Sequence, residues 1–167
     1  MKTLIVVRHA KSSWAQSGLA DFDRPLNERG KESAPKMAKI LAEKKLDIDA
    51  LVSSPAKRAY KTASIFRKEL DMKKSELIEA PALYEASVKT FHRVVENLKD
   101  DWKTIAIFSH NPGITDFINT FDTHPIYNLP TCGVYGIQIE IDSWKDFEAG
   151  KKQFLFFDYP KAIDQAI

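Results

Sequence analysis

Hydrophobic residues fall into two patterns that alternate along the chain. Residues 4–7 form a continuous apolar run, which is typical of a strand buried on both faces, and the mainly apolar segments 49–53 and 104–108 also predict short strands. Between these runs, apolar residues recur at helical spacing and predict amphipathic helices. The helical segments are residues 27–45, 55–71 and 88–98. This alternation of strand and helix predicts an α/β protein with a largely parallel central sheet.

The last part of the chain has a different pattern. From Gly133 to residue 141, apolar and polar residues alternate, which predicts a longer strand. Residues 153–158 are predicted to form its antiparallel partner, and residues 77–80 form a weaker strand. We therefore expect a three-layer sandwich, with a mostly parallel mixed sheet flanked by helices. No linker or repeat divides the chain, so residues 1–167 are predicted to form a single domain.

Local signals predict where the helices begin. Asn27 is a predicted N-cap, and Pro35 predicts a kink or a later start for the same helix. The pair Ser54–Pro55 predicts the cap and the first residue of the second helix. The pair Asn111–Pro112 repeats that signal and predicts a further helix.

Composition excludes several classes of protein. The net charge of +2 predicts neither a nucleic-acid nor a membrane partner. The single cysteine, Cys132, cannot form an intrachain disulfide bond. The first apolar run ends at Arg8, too early for a signal peptide, and no apolar run is long enough to span a membrane. We expect a cytoplasmic protein.

Polar residues follow three of the predicted strands. Arg8 and His9 end the first strand, Ser54 ends the second and is followed by Arg58, and His110 follows the strand at residues 104–108. In open α/β sheets, ligands bind outside the carboxyl ends of the strands. We therefore expect Arg8, His9, Arg58 and His110 to lie close together.

Two arginines and two histidines suit a phosphoryl group. Guanidinium groups bind phosphate oxygens bidentately and stay charged. A positive environment favours a neutral imidazole on one histidine, and its unprotonated nitrogen can attack phosphorus. The other histidine stays protonated because it contacts the doubly negative phosphoryl group of the substrate. Because these side chains supply the electrostatic stabilisation, we predict neither a metal nor another cofactor. Each residue alone has an ordinary structural explanation, so the prediction rests on the set.

The segments around these residues resemble the histidine phosphatase superfamily, with its phosphoglycerate mutase-like fold, and within it the small SixA-like phosphohistidine phosphatases. The similar segments are Arg8-His9-Ala10, Asp23-Arg24-Pro25-Leu26 with Arg29-Gly30, Ser53-Ser54-Pro55-Ala56-Lys57-Arg58-Ala59 with Thr62-Ala63, and Ser109-His110-Asn111-Pro112-Gly113. The resemblance implies that His9 is phosphorylated during the reaction and that Arg8, Arg58 and His110 hold the phosphoryl group. It also implies that Ser12 and Asn111 bind substrate.

Three positions depart from the pattern of that family. Ala10 replaces the usual glycine, and Lys11 stands where many members have glutamate. Ala15 stands where mutases have a phosphate-contacting asparagine, which argues against mutase activity.

Glu85 is the candidate proton donor. It lies in the segment where, by the same resemblance, the mutases carry a glutamate. The alternative is a surface glutamate near a helix start, stabilised by the helix dipole. The choice bears on the substrate: an imidazole leaving group, with a pKa near ~6.5, needs less help from an acid than an alkoxide does.

Three functions remain open. The resemblance implies a phosphohistidine phosphatase whose partner is a phosphorylated protein, such as a histidine-containing phosphotransfer domain. The second is a general phosphomonoesterase acting on a small phosphate ester, such as a sugar phosphate. The third, a non-catalytic phosphate-binding scaffold, is disfavoured because all four core residues are present. The absence of a long insertion between strands predicts an open site, which suits a protein substrate or a range of small esters.

Overall fold

A six-stranded sheet forms the middle layer of the protein. The computed structural model describes residues 1–165. The strands are β1 (Lys2–Arg8), β2 (Ala50–Ser53), β3 (Leu77–Glu79), β4 (Thr104–Ser109), β5 (Val134–Ile139) and β6 (Lys152–Asp158). Their order across the sheet is β3-β2-β4-β1-β5-β6. The pairings from β3 through β1 are parallel, and β5 is antiparallel to both neighbours, which confirms the predicted mixed sheet.

Helices pack on both faces of this sheet. They are α1 (Glu28–Glu43), α2 (Lys57–Glu69), α3 (Val88–Glu96), α4 (Gly113–Ile118) and α5 (Pro160–Gln165). Within the described residues, none of these helices is long and apolar enough to cross a membrane.

Successive residues of β1 belong to two separate hydrophobic cores. Leu4 and Val6 pack in the cluster that contains Phe117 of α4, while Ile5 and Val7 pack with residues of α1 and α2 such as Phe66. All four β1 side chains are fully buried. Because neighbouring side chains of a strand point to opposite faces, a strand between two helix layers must be apolar at every position. The continuous apolar run of β1 has this cause.

Asn27 caps α1 as predicted, since its side-chain oxygen accepts a hydrogen bond from the backbone N–H of Gly30 at 2.9 Å. The later start predicted from Pro35 is wrong. The helix begins at Glu28 and continues past Pro35, although that residue has no N–H to donate to the preceding turn.

The two other predicted caps are wrong. α2 begins at Lys57 with Ala56 at the cap position, and the Ser54 hydroxyl is hydrogen-bonded to a histidine ring instead. α4 begins at Gly113, and the Asn111 side chain does not cap it. Cap residues satisfy exposed N–H groups at a helix start, but these side chains have tertiary partners that compete for them.

Candidate active site

Three neighbouring strands deliver the predicted residues to one edge of the sheet. β2, β4 and β1 are adjacent, and the parallel register pairs Arg8 with Ser109 and Ser53 with Phe108. The three strands therefore end at the same level. The residues that follow them line an open pocket of about 850 Å³. All seven predicted site residues line it: Arg8, His9, Ser12, Arg58, Glu85, His110 and Asn111.

The His9 imidazole is held in one tautomer by its two hydrogen bonds. Its Nδ1 lies 2.7 Å from the carbonyl oxygen of Ala10, and a carbonyl can only accept, so Nδ1 carries the proton. Its Nε2 accepts a hydrogen bond from Nε of Arg58 at 3.3 Å. Burial lowers the pKa of His9 to about 3, and the nearby His110, Arg58 and Arg8 act in the same direction. His9 thus has a neutral ring with an unprotonated Nε2.

The residue that follows His9 is also fixed. Ala10 is fully buried, and its backbone N–H donates to the Thr62 hydroxyl at 3.0 Å. The small alanine side chain therefore fits the turn in which related sequences have glycine.

His110 lies beside His9, with 5.2 Å between the ring centroids. Its Nε2 and the Ser54 hydroxyl are hydrogen-bonded at 2.7 Å, and the Ser54 oxygen also accepts from the N–H of Ala56 at 3.2 Å. Burial lowers the pKa of His110 to about 4, with Arg58 adding to the effect. The other ring nitrogen, Nδ1, is buried and has no partner among residues 1–165. An anion in the pocket would supply one.

Asp21 is a residue that the sequence reasoning missed. Its backbone oxygen accepts from Nη1 of Arg58 at 2.7 Å, and its Oδ2 accepts from Nη2 of Arg58 at 3.0 Å. The hydroxyl of Tyr84 donates to the same Oδ2 at 2.7 Å, and Arg24 donates to Oδ1 at 3.0 Å. Burial alone would raise the pKa of Asp21, but the hydrogen bonds from Tyr84, Arg58 and Arg24 hold it far below its usual value. The hydrogen bond between Tyr84 and Asp21 also raises the pKa of Tyr84 to about 12.

Arg24 holds the segment that carries Asp21. Its Nε donates to the carbonyl of Ser13 at 3.1 Å, and its Nη2 donates to the hydroxyl of Ser12 at 2.5 Å. Its guanidinium also lies 3.2 Å from the ring centroid of Trp14. This cation–π stack and the hydrogen bonds tie Arg24 to the segment of residues 12–14. Ser12, predicted to bind substrate, lies at the pocket with its oxygen already bonded to Arg24.

Asn111 has protein partners at both ends of its amide. Thr115 donates to Oδ1 at 2.6 Å, and Nδ2 donates to Oδ1 of Asn128 at 2.7 Å. A substrate contact by Asn111 would have to compete with these bonds. Glu85 has fewer constraints: it is exposed at the pocket rim, with a left-handed backbone φ of 55°.

Arg8 completes the positive side of the pocket. Its Nη1 donates to the Leu129 carbonyl at 3.0 Å, while its buried Nε has no partner among residues 1–165. Buried donors without partners are rare in native proteins. The unpartnered nitrogens of Arg8 and His110 both belong to side chains that line this pocket. The site is therefore suited to an anion with several acceptor oxygens. Within the described part of the chain, no group of His, Cys, Asp and Glu side chains is arranged to hold a metal ion.

The two histidines make the folded protein sensitive to acid. An unfolded chain binds protons on these rings below pH 6.5, whereas the folded protein binds them only near pH 4 at His110 and pH 3 at His9. The unfolded state thus binds more protons in this window, so the free energy of unfolding falls as the pH falls. We expect each histidine to lower it by about 2 kcal/mol between pH 7.5 and pH 5. Urea unfolding at the two pH values measures this change.

The variants His9→Gln and His110→Gln should each remove the contribution of one histidine to the pH dependence of the free energy of unfolding. Burial also lowers the pKa of His92, which acts with the same sign, so only the difference between variant and parent isolates each site histidine. An unchanged pH dependence in both variants would show that the two rings titrate normally.

Known proteins share both the sequence pattern and the fold. The family model of the histidine phosphatase superfamily (branch 1) matches residues 4–116. An uncharacterised chloroplastic protein of Arabidopsis thaliana is 28% identical over 154 residues, which cover 87% of this chain and 70% of that protein. Phosphoserine phosphatase 1 of Hydrogenobacter thermophilus is 46% identical over 67 residues, but these are 38% of this chain and 30% of that enzyme.

Two solved structures show the same architecture. The putative phosphohistidine phosphatase SixA from Agrobacterium tumefaciens has a TM-score of 0.80 at 21% identity and covers 95% of this chain and 98% of its own. The mycobacterial glucosyl-3-phosphoglycerate phosphatase has a TM-score of 0.74 at 13% identity, and the match covers 96% of this chain and 100% of that phosphatase chain. At these identities, the likeness establishes the fold. Because the family model spans more than half of the chain and includes Arg8, His9, Arg58 and His110, the chain belongs to the histidine phosphatase superfamily (branch 1).

Proposed function

We propose that this protein is a phosphatase that works through a phosphohistidine intermediate on His9, with phosphohistidine in a cytoplasmic protein as its preferred substrate. One observation carries the proposal. The His9 ring is a neutral tautomer whose unprotonated Nε2 lies among Arg8, Arg58 and His110 in an open pocket. A neutral imidazole nitrogen beside fixed cations is what phosphoryl transfer to histidine requires.

In the first step, Nε2 of His9 attacks phosphorus. A phosphorus–nitrogen bond forms as the bond between phosphorus and the leaving group breaks. Arg58 already donates to Nε2 at 3.3 Å, so it is within reach of the oxygens of a phosphoryl group that binds there. Arg8 and His110 line the same pocket and supply further N–H donors for the remaining oxygens. The dianion favours protonation of His110, which then helps to neutralise the charge.

In the second step, water attacks the phosphorus of phosphorylated His9. The phosphorus–nitrogen bond breaks, inorganic phosphate leaves, and the His9 ring returns to its neutral form. The same cations stabilise both steps because the charge on the phosphoryl oxygens is similar in each.

The leaving group supports phosphohistidine as the substrate. Imidazole leaves far more readily than an alkoxide, so its loss does not depend on a strong general acid. Asp21 is poorly suited to be that acid, because its hydrogen bonds from Arg58 and Tyr84 keep its pKa low. The pocket is also open, which leaves room for a side chain on another protein. A solved structure with the same fold is described as a putative phosphohistidine phosphatase.

A second candidate function is hydrolysis of alkyl phosphates. It is supported by Glu85, a carboxyl group that lines the pocket and has freedom to approach a leaving oxygen. Two similar proteins are described as a phosphoserine phosphatase and a glucosyl-3-phosphoglycerate phosphatase. In this function, Glu85 protonates the alkoxide as it departs.

One experiment tests the function and separates the two candidates. We expect the wild-type protein to hydrolyse a phosphohistidine peptide with a higher kcat/KM than an alkyl phosphate such as phosphoserine. The variant Glu85→Gln should lose about 10- to 100-fold in kcat on the alkyl phosphate and less than about threefold on the peptide, because general-acid catalysis matters only for the poor leaving group. Phosphate release under steady-state conditions measures both.

The matched control is Glu69→Gln, an identical substitution at an exposed glutamate at the end of α2. It should leave both activities unchanged. Equal losses on the two substrates in Glu85→Gln would reject the proton-donor role. A wild-type preference for the alkyl phosphate would favour the second candidate function, and no release from any substrate would reject both.

A further inference from the structure

A second groove adjoins the candidate active site. It has a volume of about 620 Å³ and lies between α1, α5 and the loop that precedes β5. Arg8, Lys11 and Thr131 line both this groove and the active-site pocket. These shared residues place the groove directly beside the active-site pocket.

The groove carries more positive than negative side chains. Lys11, Arg29 and Lys161 line it, and none of the three forms an ion pair with a side chain among the described residues. A fourth cation, Lys36, pairs with Asp164. Two acidic residues also line the groove, Glu32 and the paired Asp164, so the lining keeps an excess of positive charge next to Arg8. Such an excess attracts an anion from solution.

Backbone contacts hold Lys11 and Arg29 together. The N–H of Asn27 donates to the carbonyl of Lys11 at 3.0 Å. Gly30 approaches that carbonyl so closely that a Cβ atom there would lie 2.1 Å from the oxygen. The first turn of α1, which carries Arg29, is therefore fixed against the segment that follows His9. The backbone positions of these two cationic residues are thus fixed relative to each other beside the groove.

Two acidic side chains line the part of the active-site pocket that is not shared with the groove. Glu85 and Asp116 line the active-site pocket but not the groove. A substrate with charge beyond its phosphoryl group is thereby oriented, since its negative part is attracted towards Lys11 and repelled from Glu85. Lys11 lies at the junction of the two cavities, since it lines both.

We propose that the basic groove, formed by Lys11, Arg29 and Lys161, binds a second anionic group of the substrate. The protein then selects phosphorylated substrates that carry another negative charge near the phosphoryl group. That charge can come from an acidic residue of a phosphorylated protein or from an acidic group on a small ester. The inference rests on the proposed function, because it takes the phosphoryl group to lie at His9.

The test compares matched substrates on the wild-type protein and on the double variant Arg29→Gln/Lys161→Gln. One pair consists of phosphohistidine peptides whose next two residues are Glu-Glu or Gln-Gln. The other pair is carboxyphenyl phosphate and phenyl phosphate. We expect the double variant to raise KM about 5- to 10-fold for the acidic member of at least one pair, with kcat and the neutral members unchanged. An effect on the peptides alone assigns the groove to an acidic protein, and an effect on the esters alone assigns it to a small molecule.

The control is Lys39→Gln/Lys89→Gln, which removes the same charge from two exposed lysines that line neither cavity. Equal KM changes for acidic and neutral substrates, or equal changes in the control, would overturn the groove as a specific site. A separate binding measurement uses His9→Ala protein, in which the Kd of the acidic peptide should rise on adding Arg29→Gln/Lys161→Gln. If the wild-type protein hydrolyses nothing, the proposed function fails. In that case the binding measurement alone decides the groove proposal, which fails if the Kd difference is absent.

Discussion

Replacing His9 with alanine is expected to abolish the phosphoenzyme and to reduce kcat/KM at least about 1,000-fold on every substrate. The reason is geometric. His9 places its unprotonated Nε2 within 3.3 Å of Arg58, and the neighbouring ring of His110 has its Nε2 bonded to Ser54. Alanine removes the Nε2 atom of His9, which is the nitrogen placed to attack phosphorus. Rapid quenching followed by mass spectrometry of the protein measures the phosphoenzyme, and steady-state phosphate release measures turnover.

The control for this experiment is His92→Gln. His92 lies on α3, where its Nε2 is hydrogen-bonded to Thr120 and its ring packs against Phe117, and it does not line the active-site pocket. Its loss should leave the phosphoenzyme intact. A phosphorylated species that survives in His9→Ala would assign the nucleophile to another residue. Urea unfolding of both variants excludes a general loss of structure as the cause.

Arg58→Lys is expected to reduce kcat/KM about 100- to 1,000-fold, with the protein still folded. Arg58 uses three nitrogens in three directions: towards His9, the Asp21 carbonyl and the Asp21 carboxylate. A lysine ammonium is a single point charge and cannot keep this arrangement while it also binds a phosphoryl oxygen. The measurements are kcat/KM and inhibition by inorganic phosphate, whose inhibition constant should rise as well.

The matched control is Arg67→Lys, the same substitution on the same helix. Arg67 donates to the carbonyl of Met72 at 2.9 Å and lies outside the active-site pocket, so activity should be unchanged. If Arg58→Lys kept full activity, the arrangement of the three guanidinium nitrogens would not matter for catalysis. A positive charge alone would then account for its contribution.

Much of the fold was predictable from the sequence because it depends on local patterns. A strand between two helix layers is apolar at each position, as residues 4–7 of β1 are, and an amphipathic helix repeats its apolar residues at helical spacing. Asn27 and Gly30 are three residues apart, so the cap of α1 is also a local contact. The parallel pairing of strands then brings their ends to one edge, which is why Arg8, His9 and His110 could be predicted to meet.

The contacts that were missed join residues far apart in the chain. Asp21 meets Arg58 across 37 positions and Tyr84 across 63 positions. Ser54 reaches His110 across 56 positions, although the local Ser-Pro pattern indicated a cap. A sequence signal for Asp21 is its place in the polar segment of residues 10–26, which is too long for a tight turn and includes the family-like residues from Asp23 onward.

The sequence by itself determined the class of fold, the strand-end positions of Arg8, His9 and His110, and the family to which the chain belongs. These follow from hydrophobic periodicity and from short motifs, each of which is complete within a few residues. Only the tertiary structure decided the tautomer of His9, the anchoring of Arg58 by Asp21, and the course of the basic groove past Lys11. Such features depend on distances between side chains from different elements, and local spacing carries no information about those distances.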